Sequence, residues 1–321
     1  MPKLTRRALI GSAVAMPFVP RASAQAPVIK IVVPFPPGGT VDPIARMAQP
    51  GLQQRLGATI VIENKSGASG SIGAAQVAKS PPDGNTWLFV FDTHAVNPFL
   101  MNLPFDTEKD LDPVLLIGTA PNMLATNPSR PFRTLADLVE AGKQKPDAIS
   151  FASIGTGSLG HLSMVVLGKR AGVRWTHVPY RGGAPAMNDA IAGHVDTVIA
   201  SAAALTPQVK GGALRAIMQT GAGRMPNVPD VPTAIESGFP GFESYAWWGV
   251  FAPAGTPKPL VERFGGALAE VLGEERVKRQ LEDSLQIKLA LSGPEELRKF
   301  FAEQMKVWGA VVREHGFKGD T

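Results

Sequence analysis

A glycine-rich segment, SFASIGTGSLGH at residues 150–161, holds the residues of this chain that are best suited to binding a charged ligand. Gly155, Gly157 and Gly160 form a G-x-G-x-x-G pattern between an apolar run and a helical pattern. Backbone amides at a helix start attract anions, and glycine lets the backbone approach them closely. The pattern leaves three alternatives open: a dinucleotide site, a site for another anion such as a carboxylate, or a turn that only serves packing.

A dinucleotide site would also need an acidic residue about twenty positions later, to bind the ribose hydroxyls. Residues 175–181 read WTHVPYR and contain no acid, and the next acid, Asp189, falls inside a predicted helix. No Gly-Lys-Ser/Thr sequence occurs, so the Walker pattern fails as well. We therefore expect no nucleotide cofactor. A second glycine loop, PFPPGGT at residues 34–40, favours anion binding over a purely structural turn.

The remaining polar residues do not match the pattern of a catalytic site or of a metal site. Ser158 and His161 are three residues apart at a helix start, and no G-x-S-x-G surrounds Ser158. A serine hydrolase needs its nucleophile on a sharp elbow with the base opposite. The chain has no cysteine, its five histidines are scattered, and no H-E-x-x-H occurs. We expect neither an enzyme nor a metal protein.

The first 24 residues have the pattern of a secretory signal. Basic residues in positions 1–7 precede an apolar run at 8–20 and an A-x-A site at 22–24. We expect cleavage near Ala24, and Arg6-Arg7 leaves Sec and twin-arginine export both open. The segment before Gln25 holds four bases and no acid, which leaves 28 bases against 27 acids. This balance argues against a nucleic-acid partner.

Short β-branched runs alternate with helical patterns twice along the chain, which predicts two α/β lobes built on parallel sheets. Strands are predicted at residues 28–33, 58–62, 86–91, 149–152, 174–178, 195–200 and 214–219. Helices are predicted at 40–56, 70–79, 159–171, 184–192, 259–272, 274–285 and 294–315. Pro50-Gly51 should break or kink the first helix.

The two lobes are predicted to exchange chain segments. Residues 25–125 and 247–321 form the first lobe and residues 126–246 the second, with crossings near 114–126 and 243–251. The C-terminal helices should return to cover the first lobe. Ligands bind at the carboxyl ends of parallel strands, so the two glycine loops could face one cleft. Hinged lobes that close on a ligand are a known mode of motion.

Eight motifs in order resemble the tripartite tricarboxylate transporter solute-binding family, the Bug-type receptors. They are IVVPFPPGG at 31–39 followed by Asp42, VIENKSGASG at 61–70, PDGNT at 82–86, THAVNP at 93–98, HVPYRGGAPA at 177–186, VPDVPT at 228–233, WG at 248–249 and APAGTP at 252–257. The similarity extends from about residue 28 to the C-terminus.

The resemblance implies a periplasmic binding protein of the Venus flytrap type, with a mostly parallel sheet and helices on both faces in each lobe. Such a receptor captures a small organic acid and delivers it to the membrane subunits of its transporter; a signalling partner is the alternative. We expect a monomer. In the family, amides of the loop at residues 153–158 hold a carboxylate, and the loop at 35–40 helps through ordered waters.

Two departures from the family pattern bear on the ligand. Asp92 stands where the family more often has a small residue; it either faces the cleft or caps the following helix. Residues 200–204 read ASAAA where many members carry Asp or Asn, which weakens the case for an amino-acid ligand. Trp247 and Trp248 either line a pocket for a bulky acid or belong to the core.

The sequence allows two interpretations for each of two further side chains. His161 either donates a hydrogen bond to the ligand or packs in the core. Arg181 either pairs with a ligand carboxylate or stabilises its own loop. The loops and the resemblance together predict a set of ligand-binding residues: Phe35, Pro37, Gly38, Gly39, Thr40, Asp92, Thr93, His94, Ser153, Ile154, Gly155, Thr156, Gly157, Ser158, His161, Asp196 and Ser201.

Overall fold

The computed structural model describes residues 26–317, so the predicted signal segment lies outside the described residues. The strands are β1 (Val28–Val33), β2 (Thr59–Asn64), β3 (Thr86–Phe91), β4 (Leu111–Thr126), β5 (Ser150–Ser153), β6 (Thr176–Pro179), β7 (Thr197–Ser201), β8 (Arg215–Gln219), β9 (Tyr245–Pro253) and β10 (Lys288–Ser292). No helix in residues 26–317 has both the length and the apolar character to cross a membrane.

Ten helices pack around these strands in the described part of the chain. They are α1 (Val41–Leu56), α2 (Ser71–Ala78), α3 (Asn97–Leu100), α4 (Leu135–Gln144), α5 (Leu159–Ala171), α6 (Gly183–Ala192), α7 (Ala202–Lys210), α8 (Lys258–Gly273), α9 (Glu275–Arg279) and α10 (Pro294–His315). Short 3₁₀ turns occur at Ala68–Gly70 and Asp92–Ala95, and a π turn at Gln280–Ser284 follows α9.

The strands divide into two groups that share β4. In lobe 1, β2, β1 and β3 are parallel, β9 is antiparallel to β3, and β4 is antiparallel to β9 and β10. In lobe 2, β6, β5 and β7 are parallel, and β4 is antiparallel to β7 and β8. Most strands of each lobe therefore run in one direction, as the sequence predicts.

The long strand β4 connects the lobes. Its residues from Leu111 to Pro121 pair with β9, and those from Asn122 to Thr126 pair with β7 and β8. The chain comes back into lobe 1 at Tyr245, opposite Pro121. Both passages lie where the sequence places the crossings; the lobe boundaries at residues 126 and 246 stay a prediction.

Alternating side chains on β3 show how each sheet buries both faces. Trp87, Phe89 and Phe91 enter the core beneath α1 and α8, while Leu88 and Val90 enter the core beneath α10. Trp87 stacks on Phe264 of α8, with ring centroids 4.0 Å apart. The period of two is that of a strand covered on both faces. The C-terminal helices cover lobe 1, as predicted.

Helix α1 continues through Pro50, so of the two predicted effects, a break or a kink, the break does not occur. Proline in a helix interior costs about 3 kcal/mol, because it removes one hydrogen bond and crowds the preceding turn. Packing on both sides offsets that cost: Ala48 and Leu52 are fully buried. At Gly51 a Cβ atom would lie 2.7 Å from Val271 of α8, so the helices are in close contact there.

Candidate functional site

Two adjoining cavities lie between the lobes. The smaller has a volume of about 30 Å³ and the larger about 270 Å³. Phe35, Pro36 and Ile154 line both, so the cavities are neighbours separated by these three residues. We call the smaller cavity the helix chamber and the larger one the loop chamber.

Three helices begin at the wall of the helix chamber. Thr40 and Val41 belong to the start of α1, residues 182–185 to the start of α6, and Ser201 to the start of α7. None of the three N-cap residues makes a side-chain capping hydrogen bond. The first amides of a helix have no partner within the helix, and each helix start carries about half a positive charge. The chamber is therefore electropositive.

The rest of the helix chamber is apolar. Phe35, Phe91, Ile154, Ala200 and Ala204 contribute to its wall, and no lysine or arginine from residues 26–317 lines it. Electrostatic attraction is stronger in an apolar cavity than in water. The chamber thus suits a small anionic group held by amides and hydroxyls without a cationic side chain.

The first glycine loop is held in place by hydrogen bonds from outside it. The Asn64 side-chain amide donates to the carbonyl of Phe35 (3.0 Å) and to the Asp42 carboxylate (2.9 Å), which also accepts from Arg46 (2.9 Å). Trp248 Nε1 donates to Thr40 Oγ1 at 3.0 Å. These contacts fix the entry into α1 and hence the chamber wall.

The two tryptophans belong to the core on opposite faces of β9. Trp247 packs against Phe300 and Phe301, and Trp248 contacts Phe91 with ring centroids 5.3 Å apart. Both are fully buried, and neither lines a chamber. Trp248 supports the site from behind, through its hydrogen bond to Thr40 and its contact with Phe91.

The second glycine loop, residues 153–158, uses several of its polar groups internally. The Gly155 amide donates to Ser153 Oγ (3.3 Å), the Gly157 amide to His161 Nδ1 (3.2 Å), and the Ser158 amide to the Gly155 carbonyl (3.2 Å). Ser158 Oγ caps α5 by accepting from the His161 amide at 3.3 Å. The glycine pattern and the family resemblance predict that amides of this loop bind the ligand. In the structure, the amides of Gly155, Gly157 and Ser158 stabilise the loop itself.

His161 supports this loop from below. Its ring is buried and stacks on His177, with centroids 3.8 Å apart and planes 12° apart. Burial, assisted by the neighbouring His177, lowers the pKa of His161 to about 3, so the ring is neutral and Nδ1 can accept from Gly157. Of the two interpretations for His161, the structure supports packing.

Glycines at the interface let the two lobes approach closely. A Cβ atom at Gly155 would lie 3.0 Å from Ser69 Oγ, and one at Gly182 would lie 3.1 Å from Pro36 Cδ. A Cβ atom at Gly157 would collide with Leu100 of lobe 1. All three glycines have positive φ, between 80° and 144°. Their freedom therefore serves contact between the lobes.

A hydrogen bond joins the lobes beside the loop chamber. Ser69 Oγ of lobe 1 donates to the Thr156 carbonyl of lobe 2 at 2.9 Å. The Ser69 carbonyl in turn accepts from Thr93 Oγ1 (2.8 Å) and from the Asn97 side chain (3.0 Å). Thr93 thus acts behind the cleft and not on its surface. We call the Ser69–Thr156 bond the interlobe latch.

Asp92 is buried, with 1% of its surface exposed, and lines neither chamber. It is the first residue of a 3₁₀ turn and makes no capping hydrogen bond to the helix that follows it, so the prediction that it caps that helix is wrong. Neither carboxyl oxygen has a well-formed hydrogen bond to the described residues. Burial raises the pKa of Asp92 well above its usual value, and the nearby amides of Leu159 and Thr93 only partly oppose this.

Two predicted site residues, His94 and Asp196, line neither chamber and have partners elsewhere. His94 packs against Phe251 and Phe301 in the core, and burial lowers its pKa to about 3. Asp196 precedes β7 at the end opposite Ser201, where it accepts from the Ser150 amide and hydroxyl and pairs with Arg130 at 3.1 Å. Its role is to join β5 and β7.

The remaining predicted residues divide by their position. Those that line the helix chamber are Phe35, Pro37, Gly39, Thr40, Ile154 and Ser201. Gly155 and Thr156 line the loop chamber. Five line neither chamber: Gly38, Ser153, Gly157, Ser158 and His161.

Helix α6 is predicted from the sequence, but its first residues are absent from the predicted ligand-binding set. Residues 182–185 line the helix chamber and Arg181 lines the loop chamber. The available signal was RGGAP at 181–185, glycines followed by a proline in the first turn of a helix. The segment at residues 66–70, which lines the loop chamber, was also missed as part of the site.

The family model, a sequence relative and a solved structure all indicate the same protein family. Residues 44–317 match the model of the tripartite tricarboxylate transporter family receptor. Protein BugT of Bordetella pertussis is 33% identical over 313 residues, covering 94% of this chain and 96% of BugT. The structure of periplasmic binding protein BugD has a TM-score of 0.86 and 32% identity, covering 91% of this chain and 98% of that chain.

A third relative was solved with a ligand. The structure of R. palustris Rpa4515 with adipate has a TM-score of 0.87 and 32% identity, covering 91% of this chain and 98% of that chain. These similarities confirm the predicted fold class, a two-lobe periplasmic binding protein, and the resemblance on which it rests.

Proposed function

Because this chain belongs to the tripartite tricarboxylate transporter receptor family, we propose that it binds a small organic acid between its lobes, with one carboxylate in the helix chamber. The convergence of three uncapped helix starts on one apolar cavity is the observation that carries this proposal. A helix start stabilises a nearby anion by about 0.3–1 kcal/mol, and by up to about 2 kcal/mol in a partly buried setting. Three helix starts acting on one carboxylate can offset much of the cost of removing it from water.

The relative solved with adipate supports a carboxylate as the ligand. The chamber excludes a bulky group and lacks an acidic side chain for an ammonium group among the residues described. We propose that this chain acts in the periplasm, where the signal pattern in its first 24 residues would direct it. The loaded receptor would then dock on the membrane subunits of a tripartite tricarboxylate transporter.

Thermal unfolding with a ligand panel tests the proposal. The panel holds di- and tricarboxylates, aromatic acids, amino acids and NAD, and the chain starts at Gln25. A ligand at a hundred times its dissociation constant should add about 2.7 kcal/mol to the unfolding free energy. We expect a clear shift with one class of carboxylate. Stabilisation by NAD and by none of the acids would contradict the proposal.

The variant Ala204→Asp locates the site. Ala204 lies in the first turn of α7 and lines the helix chamber. An aspartate there favours the helix dipole, so the variant should fold, but its carboxylate would occupy and repel the ligand position. Ala302→Asp, at an exposed position of α10, is the matched control. We expect only Ala204→Asp to lose acid binding; equal binding by both variants would remove the helix chamber from the site.

A further inference from the structure

We propose that closing of the two lobes takes up a proton from solution, and that the carboxyl group of Asp92 holds this proton between the lobes. Acid binding would then be coupled to proton uptake and would strengthen as the pH falls. This coupling rests on the proposed function, since it takes the bound acid to hold the lobes closed.

The position of Asp92 between the lobes is the first observation. Asp92 directly follows β3 of lobe 1, and the amide of Leu159, the first residue of α5 in lobe 2, lies near its carboxyl group. The next residue, Thr93, donates from its hydroxyl to the Ser69 carbonyl at 2.8 Å, behind the interlobe latch. Asp92 therefore lies at the surface along which the lobes would separate.

The start of α5 covers this part of lobe 1. Leu159 and Leu162 of α5 are fully buried. They belong to the same apolar cluster as Val90 and Val96, which lie on either side of Asp92 in the chain. Because lobe 2 supplies part of the cover, opening of the lobes would bring water to the Asp92 carboxyl group.

The carboxyl group has no partner that compensates for a charge while the lobes are closed. Only 1% of Asp92 is exposed, and neither oxygen has a well-formed hydrogen bond to residues 26–317. An unpaired carboxylate is costly in apolar surroundings, whereas its protonated form avoids most of that cost. The amides of Leu159 and Thr93 offset the cost only in part, and the pKa of Asp92 stays well above its usual value. Asp92 is therefore protonated in the closed state.

The open and closed states would differ by this proton. Once water reaches it, an aspartate has a pKa of about 3.9 and is ionised near neutral pH. Closure then adds one proton to the Asp92 carboxyl group. By linkage, the population of the closed state grows as the pH falls.

The other titratable groups around Asp92 would give the opposite sign. His94 lies in the same turn, His161 on α5 and His315 on α10; the other charged residues of α10 are exposed, and those of α5 lie in its last turn. The elements β3, β9, α2 and α3 contain no acidic or basic residue. A histidine that is buried on closure releases a proton, because burial disfavours its charged form. Proton uptake on closure therefore identifies a carboxyl group.

Calorimetric titration in buffers of different ionisation enthalpy counts the protons taken up per acid bound. The probes are adipate and the panel acid with the largest thermal shift, both at pH 6 and pH 7. We expect wild type to take up about one proton more per acid than Asp92→Asn, which has no carboxyl group at this position. The affinity of wild type relative to the variant should rise by up to about tenfold for each pH unit by which the pH is lowered.

Two further variants separate the proton from packing. Asp92→Ser is also neutral and should take up as few protons as Asp92→Asn, although its side chain is smaller. Asp196→Asn removes an aspartate whose partners, Ser150 and Arg130, both lie in lobe 2, so it should take up as many protons as wild type. An equal proton count in wild type and in both Asp92 variants would overturn the inference while acid binding stands.

Small-angle scattering without ligand tests the same proton independently of acid binding. Lowering the pH from 8 to 5 should decrease the radius of gyration of wild type, because the closed state gains population, and should change that of Asp92→Asn much less. This shift without binding of any acid would support the inference and contradict the proposed function. Absence of both the shift and acid binding would overturn the two together.

Discussion

Asp92 is a buried carboxyl group at the end of β3, close to the amide of Leu159 at the start of α5. Moving an unpaired carboxylate out of water is costly, so burial favours the protonated form. Its pKa in the folded chain lies well above its usual value. The unfolded chain ionises this group above about pH 3.9, whereas the folded chain keeps it protonated. Asp92 therefore lowers stability as the pH rises from the unfolded pKa toward the folded pKa.

Asp92→Asn should remove this pH-dependent cost. We expect the difference in unfolding free energy to shift in favour of Asp92→Asn as the pH rises from 3 to 8, because the asparagine side chain cannot ionise in the unfolded chain. Thermal unfolding measured at pH 3, 5, 7 and 8 gives the difference at each pH.

Asp42→Asn is the matched control for Asp92→Asn. Asp42 is also buried, but it accepts from Arg46 and Asn64. Its replacement should destabilise the chain, because Arg46 would then face a neutral amide in place of a carboxylate. If Asp92→Asn lowers stability by the same amount at every pH, the carboxylate is ionised in the folded chain and the argument fails.

At the scale of elements, the sequence predicts the bounds of a strand or helix correctly where its apolar positions recur regularly and pack into a core. The bounds of β1, β3, α5 and α10 agree with the predicted ones, because each presents a regular apolar pattern to a core. Helix α7 was missed because its first residues are small and uniform and Pro207 lies inside it. Strand β10 was missed because it alternates only between exposed and half-buried positions at a sheet edge.

The candidate site was only partly predictable for a physical reason. The first glycine loop and Ser201 line the helix chamber, since both lie at the carboxyl ends of parallel strands, where ligands are expected. The start of α6 reaches the same chamber only through the packing of lobe 2 on lobe 1. His94 and Asp196 resemble ligand-binding residues in sequence, but their burial and their partners in the core depend on tertiary contacts that no local pattern contains.

Gly157→Ala should crowd the contact between the second glycine loop and α3. Gly157 has φ of 80°, and an added Cβ would collide with Leu100 of α3. We expect acid affinity to fall about tenfold, because crowding of this kind costs about 1–3 kcal/mol and acts on the closed state. Titration of the best-binding acid from the panel gives the change.

Gly172→Ala controls for backbone strain. Gly172 ends α5 with φ of 69°, and an added Cβ would meet nothing within 4 Å. Both variants should lose about 1 kcal/mol of stability through the unfavourable φ, but only Gly157→Ala should lose affinity. The double variant Gly157→Ala with Leu100→Ala should regain part of it. Equal affinity loss in the two single variants would assign the effect to strain.

At the scale of the whole molecule, the proposed function needs two lobes that close on a ligand and open to release it. A ligand that contacts both lobes shifts the population toward the closed state by its differential affinity. The closed state would be stabilised by the close contacts at Gly155, Gly157 and Gly182 and by the interlobe latch between Ser69 and Thr156. Since Ser69 has φ of 50°, its conformation is uncommon for a residue with a side chain, and the bonds from Thr93 and Asn97 hold it there. The Ser69 side of the latch is therefore positioned by contacts within lobe 1.

Ser69→Ala should loosen closure without disturbing either lobe. It removes the hydroxyl of the latch and keeps the carbonyl that Thr93 and Asn97 bind. One hydrogen bond contributes about 0.5–1.5 kcal/mol, so acid affinity should fall about two- to tenfold, mainly through faster release. Stopped-flow tryptophan fluorescence measures release, and small-angle scattering should show a larger radius of gyration without ligand. Ser80→Ala, which removes a 2.9 Å hydroxyl-to-carbonyl bond within lobe 1, should leave release unchanged. If both variants release the acid at the wild-type rate, the latch contributes nothing to closure, and the glycine contacts alone set the balance between the open and closed states.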